Sequence, residues 1–281
     1  MISLTAHAKI NLSLDVLGKR EDGYHTLRMI MQTVQLHDTI SVEKIPSGVE
    51  IICNAPYVPN NNSNIACKAA EAVINQYKLD SGVRITIEKK IPVAAGLAGG
   101  SADAAAVFKG INTLFDLGIG ENELMQLGKT IGADVPYCIM GGTALAEGIG
   151  EKLTPLAPMG NVPIILVKPR IGVSTAWVYK NLKLDKVHAR PDTEKLVSAL
   201  ADGDIKTIAA NMKNVLETVT LGRYPVIQRI KKELMQLGAM GSMMSGSGPT
   251  VFGIFENKEK AGVAFNKLKN SRHECILTYT V

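Results

Sequence analysis

The first twenty residues carry the most regular hydrophobic pattern in the chain. From Leu4 to Val16, apolar residues occupy the even positions and polar residues the odd positions. A period of two is typical of a β-strand with one face against a core and one polar face. The pattern therefore predicts a strand over 4–16 and places Lys9 and Asn11 on the same polar face.

The rest of the chain mixes strand-like and helix-like patterns. Further strands are predicted at 29–36, 39–45, 83–91, 141–147, 162–167, 250–255 and 274–280. Helices are predicted at 66–77, 102–115, 121–129, 174–182, 193–201, 204–218, 224–237 and 258–270. This mixture lacks the regular alternation of a doubly wound fold and indicates an α+β class.

Prolines and glycine between 150 and 163 mark a change of composition. Such residues are typical of a connection rather than of a helix or strand interior. We therefore expect two domains, at 1–155 and 156–281.

Composition limits the classes of function. The chain has 281 residues, of which 46% are hydrophobic and 20% charged, so wholesale disorder is excluded. The net charge of +5 is compatible with anionic substrates such as phosphates. Without a dense basic block or an RNA-binding aromatic motif, we expect no nucleic-acid partner.

The four cysteines form no CxxC pair, which argues against a disulfide scaffold or a zinc ribbon. No apolar run approaches the ~18 residues that a membrane span needs. Lys9, Asn11 and Asp15 interrupt what would be the core of a signal peptide. We expect a soluble, cytoplasmic protein with no membrane partner.

A glycine-rich loop stands between the strand at 83–91 and the helix at 102–115. Gly96, Gly99 and Gly100 fall within five residues, and Ser101 follows at a plausible N-cap. Glycines let the backbone approach a ligand closely, and a helix start offers unpaired N–H groups and partial positive charge. A tight turn is the simpler interpretation, but this combination favours a phosphate site.

Other nucleotide motifs are absent. Gly128-Lys129-Thr130 resembles the end of a Walker A loop, but Glu123 stands where its first glycine is required. No segment completes the G-x-G-x-x-G dinucleotide pattern, and there is no G-x-S-x-G nucleophile motif.

A second glycine-rich turn covers 244–255. Alone it reads as a hairpin before a strand. As a partner of the first loop, it could close over phosphate with its N–H groups and the hydroxyls of Ser245 or Ser247.

Three segments in this order resemble the GHMP kinase superfamily over nearly the whole chain. They are Ala8-Lys-Ile-Asn-Leu12, Pro92-x-x-x-Gly-Leu-Ala-Gly-Gly-Ser-Ala-Asp-Ala-Ala105 and Ser245-Gly-Ser-Gly-Pro-Thr250. The resemblance implies two α+β domains with the active site in the cleft between them. The N-terminal domain would be ribosomal S5 domain 2-like and would bind ATP, and the C-terminal domain would be ferredoxin-like.

Two further motifs, Arg20-Glu-Asp-Gly-Tyr-His-Thr26 and Gly132-Ala-Asp-Val-Pro136, are similar to one subfamily. Its members phosphorylate the 2-hydroxyl of a cytidine diphosphate-linked methylerythritol in the non-mevalonate isoprenoid pathway. The chain departs from the common family pattern at Ala98 and Ala102, where Gly and Ser are usual. We expect neither departure to abolish the site, because backbone N–H groups bind most of the phosphate.

The resemblance also implies roles for individual residues. Asp134 would be the general base and Lys9 its charged partner, and ATP would enter with Mg²⁺, whose ligands the sequence does not identify. The substrate would contact Asn11, the stacking pair Tyr24 and Tyr179, and the base-edge reader His25. The ATP phosphates would be bound by the loop residues Pro92, Val93, Ala94, Ala95, Gly96, Leu97, Ala98, Gly99, Gly100, Ser101 and Ala102.

Two other functions remain open at this point. One is a GHMP kinase for another small alcohol, such as a mevalonate- or homoserine-like substrate. The other is a non-catalytic nucleotide- or RNA-binding module, since the family's N-terminal half shares its fold with a ribosomal-protein domain. The presence of both Lys9 and Asp134 argues against the non-catalytic binding module. We expect a small-molecule kinase acting as a monomer or weak homodimer.

Overall fold

The computed structural model describes residues 1–281 and divides the chain into two compact units. Unit 1 comprises Met1–Ala8, Leu36–Val93 and Ala98–Gly141, and unit 2 comprises Lys9–Gln35, Ala94–Leu97 and Gly142–Val281. The two units interleave along the chain, because two long strands and the glycine-rich loop contribute residues to both. The domain boundary expected at 155 stays a prediction.

Unit 1 places helices beside a short sheet. Its strands are β1 (Ile2–Lys19) up to Ala8, β2 (His25–Ile45) from Leu36, β3 (Val49–Cys53) and β4 (Gly82–Glu88). Its helices are α1 (Ile65–Tyr77), α2 (Gly99–Leu114), α3 (Glu121–Ile131) and α4 (Val135–Met140). Strand β4 pairs antiparallel with β2, with Thr39 opposite Glu88, and parallel with β3, with Val49 opposite Val83.

Helix α2 lies against the sheet of unit 1. Its inner face is rich in alanine and also buries Val107, Phe108 and Ile111. At Gly110 a Cβ atom would lie 3.0 Å from both Leu4 and Val42, so the absence of a side chain brings the helix close to the strands. Small residues on this face therefore fix the depth at which α2 packs in unit 1.

Unit 2 contains the remaining parts of β1 and β2 and most of the short elements. The strands are β5 (Thr143–Gly148), β6 (Lys152–Pro155), β7 (Pro163–Lys168), β8 (Lys213–Asn214), β9 (Gly241–Met244), β10 (Val251–Ile254) and β11 (Glu274–Tyr279). The α-helices are α5 (Thr175–Asn181), α6 (Thr193–Ala201), α7 (Ile205–Asn211), α8 (Glu217–Arg223), α9 (Pro225–Gln236) and α10 (Lys258–Leu268), with a 3₁₀ turn at Leu184–Lys186.

Four of these strands form an antiparallel sheet in the order β11-β7-β10-β9. Helices separate β7 from β9, and α10 separates β10 from β11. Numbered along the chain, the strand order is 4-1-3-2 with two helical crossings, which is the ferredoxin-like arrangement expected for the C-terminal part. Elsewhere in unit 2, β5 pairs with β2 and β6, and β8 pairs parallel with β1.

Three expectations about secondary structure were wrong. The helix expected at 204–218 is broken at Met212, where Lys213–Asn214 pairs with Ser13 and Leu14 of β1. The segment at 152–155, read as part of a connection, is a strand paired with β5. The strands expected at 29–36 and 39–45 are one continuous strand, His25–Ile45. Strand pairing that the hydrophobic pattern did not reveal accounts for all three, since β8 pairs with β1, β6 pairs with β5 in a hairpin, and β2 pairs with both β5 and β4.

Candidate active site

The polar face of β1 becomes buried where the strand passes from unit 1 into unit 2. Lys9 is 5% exposed and Asn11 fully buried, and Ser13 and Asp15 are also buried. Lys9 Nζ donates to Asn11 Oδ1 at 2.8 Å, and Asn11 Nδ2 lies 3.3 Å from Met29 Sδ. Burial of an ammonium group is costly unless the group is hydrogen-bonded or paired with an opposite charge. A solvated strand lysine is therefore ruled out for Lys9.

The last polar residue of this buried face of β1, Asp15, is paired with an arginine. Asp15 Oδ1 accepts a hydrogen bond of 2.6 Å from Arg190, which also donates to the carbonyl of Val16 at 3.0 Å. Sequence reasoning did not identify Arg190, which lies 175 residues from its partner. The contact ties the segment after α5 to strand β1.

The glycine-rich loop is attached to β1 by its backbone. The N–H of Lys9 donates to the carbonyl of Leu97 at 3.1 Å. Within the loop, Ala94, Gly96 and Ala98 all adopt left-handed angles, with φ of 51°, 76° and 57°. This alternation bends the chain sharply before α2 and leaves Val93, Ala94 and Gly100 exposed.

Helix α2 begins at Gly99, three residues earlier than expected. Its N-cap is Ala98, which offers no side-chain hydrogen bond, so the expected N-cap at Ser101 was wrong. The first bond of the helix runs from the N–H of Ala102 to the carbonyl of Ala98 at 2.9 Å. The N–H groups of Gly99, Gly100 and Ser101 therefore form the first turn, which has no intrahelical acceptors and attracts anions.

Packing explains why glycines occupy this first turn. A Cβ at Gly99 would lie 3.0 Å from Ile91 Cγ2 and 3.3 Å from Lys89 Nζ, and one at Gly100 would lie 3.4 Å from Ile65 Cδ1. The first turn of α2 thus packs directly on side chains of unit 1. Gly100 itself is exposed, and Gly99 and Ser101 are half-buried.

Replacing Ala98 with glycine is expected to stabilise the protein by about 0.5–1 kcal/mol. A left-handed conformation costs an L-residue about 1–2 kcal/mol, which the larger unfolded-state entropy of glycine offsets in part. The midpoint of urea unfolding measures the change. The control Ala102→Gly lies inside the same helix and should lose about 1 kcal/mol. Equal losses in both variants would contradict the left-handed assignment at Ala98.

The second glycine-rich turn packs against the first loop within unit 2. Ser245 Oγ donates to the carbonyl of Gly96 at 2.9 Å, and the N–H of Thr250 donates to the carbonyl of Ala95 at 3.3 Å. A Cβ at Gly96 would overlap the carbonyl oxygen of Ser245 and lie 3.1 Å from that of Gly248. The two turns therefore meet through backbone, as expected of partners, and Gly96 is required at the contact.

Asn214 supports the second turn and was missed in the sequence. Its Nδ2 donates to the carbonyls of Met244 and Gly246 at 2.9 and 2.7 Å, while its backbone pairs with Leu14 of β1. The adjacent Glu217 accepts from the N–H of Met244 at 2.8 Å. Because 204–218 read as one helix, no signal marked Asn214 as a structural link.

Asp134 stands at the N-terminus of α4 in unit 1. It is half-buried, and its side chain makes no capping hydrogen bond to the helix. Its backbone position is fixed, since α3 packs on α4 through Gly128, where a Cβ would lie 3.0 Å from Ile139. Asp134 therefore occupies the N-cap position of α4 without capping the helix through its carboxylate.

The aromatic residues expected at the substrate end lie in unit 2. The rings of His25 and Tyr179 are 5.1 Å apart between centroids and inclined by 33°. Tyr24 is 60% exposed and follows a closed turn in which its N–H donates to Asp22 at 3.1 Å. Burial, assisted by the charge of Lys19, lowers the pKa of His25, so its ring is neutral at pH 7 and offers both a donor and an acceptor.

Helix α5, which carries Tyr179, is joined to the second glycine-rich turn. Thr175 Oγ1 and Ser247 Oγ are 2.7 Å apart, and Ser174 Oγ caps the helix by accepting from the N–H of Trp177 at 3.3 Å. Trp177 packs edge-on against Tyr224 at 6.2 Å, a role in packing. Tyr179 is thus presented on a helix whose start is tied to the turn beside Gly96.

Part of the expected site belongs to unit 2: Lys9, Asn11, Ala94, Ala95, Gly96, Leu97, Tyr24, His25 and Tyr179. The remaining expected residues belong to unit 1: Asp134, Pro92, Val93, Ala98, Gly99, Gly100, Ser101 and Ala102. No group of three or more His, Cys, Asp or Glu side chains is arranged to hold a metal ion. None of the helices has the length and apolarity that a bilayer crossing requires.

Comparison with known proteins agrees with this arrangement. The family model "GHMP kinases N terminal domain" matches residues 64–142, and "GHMP kinases C terminal" matches 196–274. A protein of Acetivibrio thermocellus named 4-diphosphocytidyl-2-C-methyl-D-erythritol kinase is 61% identical over 280 residues, covering 100% of this chain and 99% of the relative.

Two solved structures are also similar. A crystal structure of 4-(cytidine 5'-diphospho)-2C-methyl-D-erythritol kinase superposes with a TM-score of 0.86 and 33% identity, covering 99% of each chain. Homoserine kinase from Cytophaga hutchinsonii shares the fold alone, with a TM-score of 0.78 and 19% identity over 100% of this chain and 94% of that one. By sequence and by fold, the chain belongs to the GHMP kinase family of small-molecule kinases.

Proposed function

We propose that this protein transfers the γ-phosphoryl group of ATP to the 2-hydroxyl of 4-diphosphocytidyl-2-C-methyl-D-erythritol, giving the 2-phosphate and ADP in the non-mevalonate route to isoprenoid precursors. The observation that carries the proposal is the burial and hydrogen bonding of Lys9. Its ammonium is buried and bonded to Asn11, while its own backbone N–H holds the glycine-rich loop at Leu97. Full-length similarity to proteins named for this reaction supports the choice of substrate.

The triphosphate is bound by the first turn of α2 and the loop before it. Phosphoryl transfer needs alignment and neutralisation of charge more than covalent participation by the protein. The N–H groups of Gly99, Gly100 and Ser101 supply donors and the positive end of the helix dipole. Mg²⁺ would enter with ATP and would neutralise part of the charge on its phosphates.

Asp134 accepts the proton of the 2-hydroxyl. As this proton leaves, the hydroxyl oxygen attacks the γ-phosphorus, and the bond between the γ-phosphorus and the departing ADP breaks. Lys9 is its charged partner, and an ammonium also steadies negative charge that develops on the transferring group. Asn11, which accepts a hydrogen bond from Lys9, orients the hydroxyl in this proposal. The general base and the charged partner thus come from the two residues that the family resemblance singles out.

The cytidine is held by aromatic side chains. Base stacking on an aromatic ring contributes about 1–3 kcal/mol. Tyr179 and the exposed ring of Tyr24 are the stacking partners, and neutral His25 reads the edge of the base. The proposed enzyme acts in the cytoplasm on small molecules rather than on nucleic acid or membranes, as a monomer or weak homodimer.

Turnover of three alcohols by the purified protein with MgATP tests the proposal. We expect ADP release with 4-diphosphocytidyl-2-C-methyl-D-erythritol and only background release with mevalonate or homoserine. Neither of the smaller alcohols carries a base that could engage Tyr24, His25 and Tyr179. Turnover of either one without turnover of the cytidyl substrate would favour a GHMP kinase for another small alcohol.

A further inference from the structure

A buried ion cluster lies beneath the first turn of α2, and neither the family resemblance nor the reaction assigns it a role. Lys89 Nζ lies 2.5 Å from Asp38 Oδ2 and 2.8 Å from Asp103 Oδ2. All three side chains are at most 6% exposed. The cluster joins β2, the end of β4 and helix α2, all in unit 1.

The two carboxylates of the cluster are not equivalent. Asp38 Oδ1 also accepts the backbone N–H groups of Lys90 and Ile91, at 2.5 and 2.8 Å. Asp103 Oδ1 is buried and has no hydrogen-bond partner. A buried oxygen without a partner is an unfavourable place for negative charge. When the cluster binds a proton, that proton therefore belongs on Asp103.

Charge balance gives the same result. One lysine cannot neutralise two carboxylates, so the cluster carries a net charge of −1 when both are ionised and none when Asp103 is protonated. Burial raises the pKa of Asp103 to about 8, the charge of Asp38 adds to the rise, and Lys89 acts in the opposite direction. Burial alone would lower the pKa of Lys89, but Asp103 and Asp38 outweigh it and raise that pKa.

Burial, Lys89 and Asp38 are the largest causes of the pKa shift of Asp103. Helix α4, which packs on α2, has no charged residue. The charged residues of the other packed helices are Lys68 and Glu71 on α1 and Glu121, Glu123 and Lys129 on α3, and none of them is among the largest causes of the pKa shift of Asp103. Of the side chains that press on the first turn, Ile65 and Ile91 are apolar and Lys89 belongs to the cluster itself.

The cluster touches the turn that binds phosphate. Lys89 Nζ is 3.3 Å from the position of a Cβ on Gly99, and Asp103 is four residues further along the same helix. We propose that Asp103 is a positioning residue that, through Lys89, fixes the first turn of α2 and sets the charge beneath it, so that ATP binds best when Asp103 is protonated. This inference rests on the proposed phosphate site and adds to it a control of nucleotide affinity by a proton.

Binding of a non-hydrolysable ATP analogue with Mg²⁺ at pH 7 and pH 9 tests the inference. In the wild type we expect the Kd to rise about five- to tenfold more over this range than in Asp103→Asn, which cannot ionise. Titration of the analogue itself is common to all variants and cancels in the comparison. The KM for ATP should follow the Kd, while the ratio of kcat values between variant and wild type should not change with pH.

A matched control and a second variant complete the experiment. Asp116→Asn makes the same change at an exposed residue just after the same helix and should keep the wild-type pH dependence. Asp38→Asn retains an acceptor oxygen for Lys90 and Ile91 and pairs Lys89 with Asp103 alone, so its Kd should vary with pH as little as that of Asp103→Asn. If either variant fails to fold, the other decides.

Two results would overturn the inference, and they are distinguishable. Equal pH dependence in the wild type and the folded cluster variants would remove the role of Asp103 and leave the proposed kinase intact. Absence of analogue binding by the wild type at both pH values would overturn the proposed function, and this inference with it.

Discussion

Replacing Asp134 with asparagine is expected to lower kcat by about 10²–10⁴-fold while the affinity for ATP changes little. The variant removes the group that accepts the proton of the 2-hydroxyl, and general base catalysis contributes a factor of this size. Asparagine keeps the shape and can still occupy an N-cap, so α4 and its packing through Gly128 should be preserved. Steady-state kinetics and binding of an ATP analogue measure the two quantities.

The control for this variant is Asp192→Asn. Asp192 is an exposed N-cap whose side chain accepts from the N–H of Lys195 at 3.0 Å, and asparagine caps a helix about as well as aspartate. We expect wild-type turnover from it. Unchanged turnover in Asp134→Asn as well would mean that Asp134 is not the base.

Replacing Gly96 with alanine is expected to be the most destabilising single change in the site, with a loss of about 3 kcal/mol or more in the free energy of unfolding. Alanine would have to hold a left-handed conformation at φ 76°, and its Cβ would overlap the carbonyl oxygen of Ser245. To remove this overlap, the two glycine-rich turns would have to separate. Their separation breaks the hydrogen bonds from Ser245 and Thr250 to the loop.

Gly118→Ala separates the two causes of this loss. Gly118 also has a positive φ, of 65°, but no atom would lie within 4 Å of a Cβ there. We expect its urea unfolding midpoint to report only the backbone strain, about 1–2 kcal/mol. Equal losses in the two variants would show that the contact between the turns contributes nothing at Gly96.

Strand β1 shows which structural features the sequence pattern predicts and which it does not. The period of two predicted the strand and placed Lys9 and Asn11 on one face, and both expectations are confirmed. The same pattern suggested a solvated polar face, whereas Lys9 to Val16 are buried on both faces. Periodicity reports which side chains share a face, but what covers that face depends on residues elsewhere, such as Met29 and Arg190.

The phosphate-binding turn shows a similar limit. Three glycines before an alanine-rich helix predicted the loop, the helix and their order. The start of the helix was misplaced because a serine is normally a better N-cap than an alanine. Packing of Gly99 on Ile91 and Lys89 decided the start instead. The ion cluster of Asp38, Lys89 and Asp103 had no sequence signal, since Asp38 lies 51 residues before Lys89 and Asp103 lies 14 residues after it, without a recurring motif.

Identification of the phosphorylated hydroxyl tests the central claim most directly. The product formed from ATP and 4-diphosphocytidyl-2-C-methyl-D-erythritol can be examined by ³¹P NMR, since the carbon at position 2 bears no hydrogen. The account predicts one new phosphomonoester signal without coupling to a proton on the attached carbon, and one ADP for each product molecule. A phosphomonoester signal split by such coupling, or ADP and free phosphate without a phosphorylated cytidyl product, would contradict it.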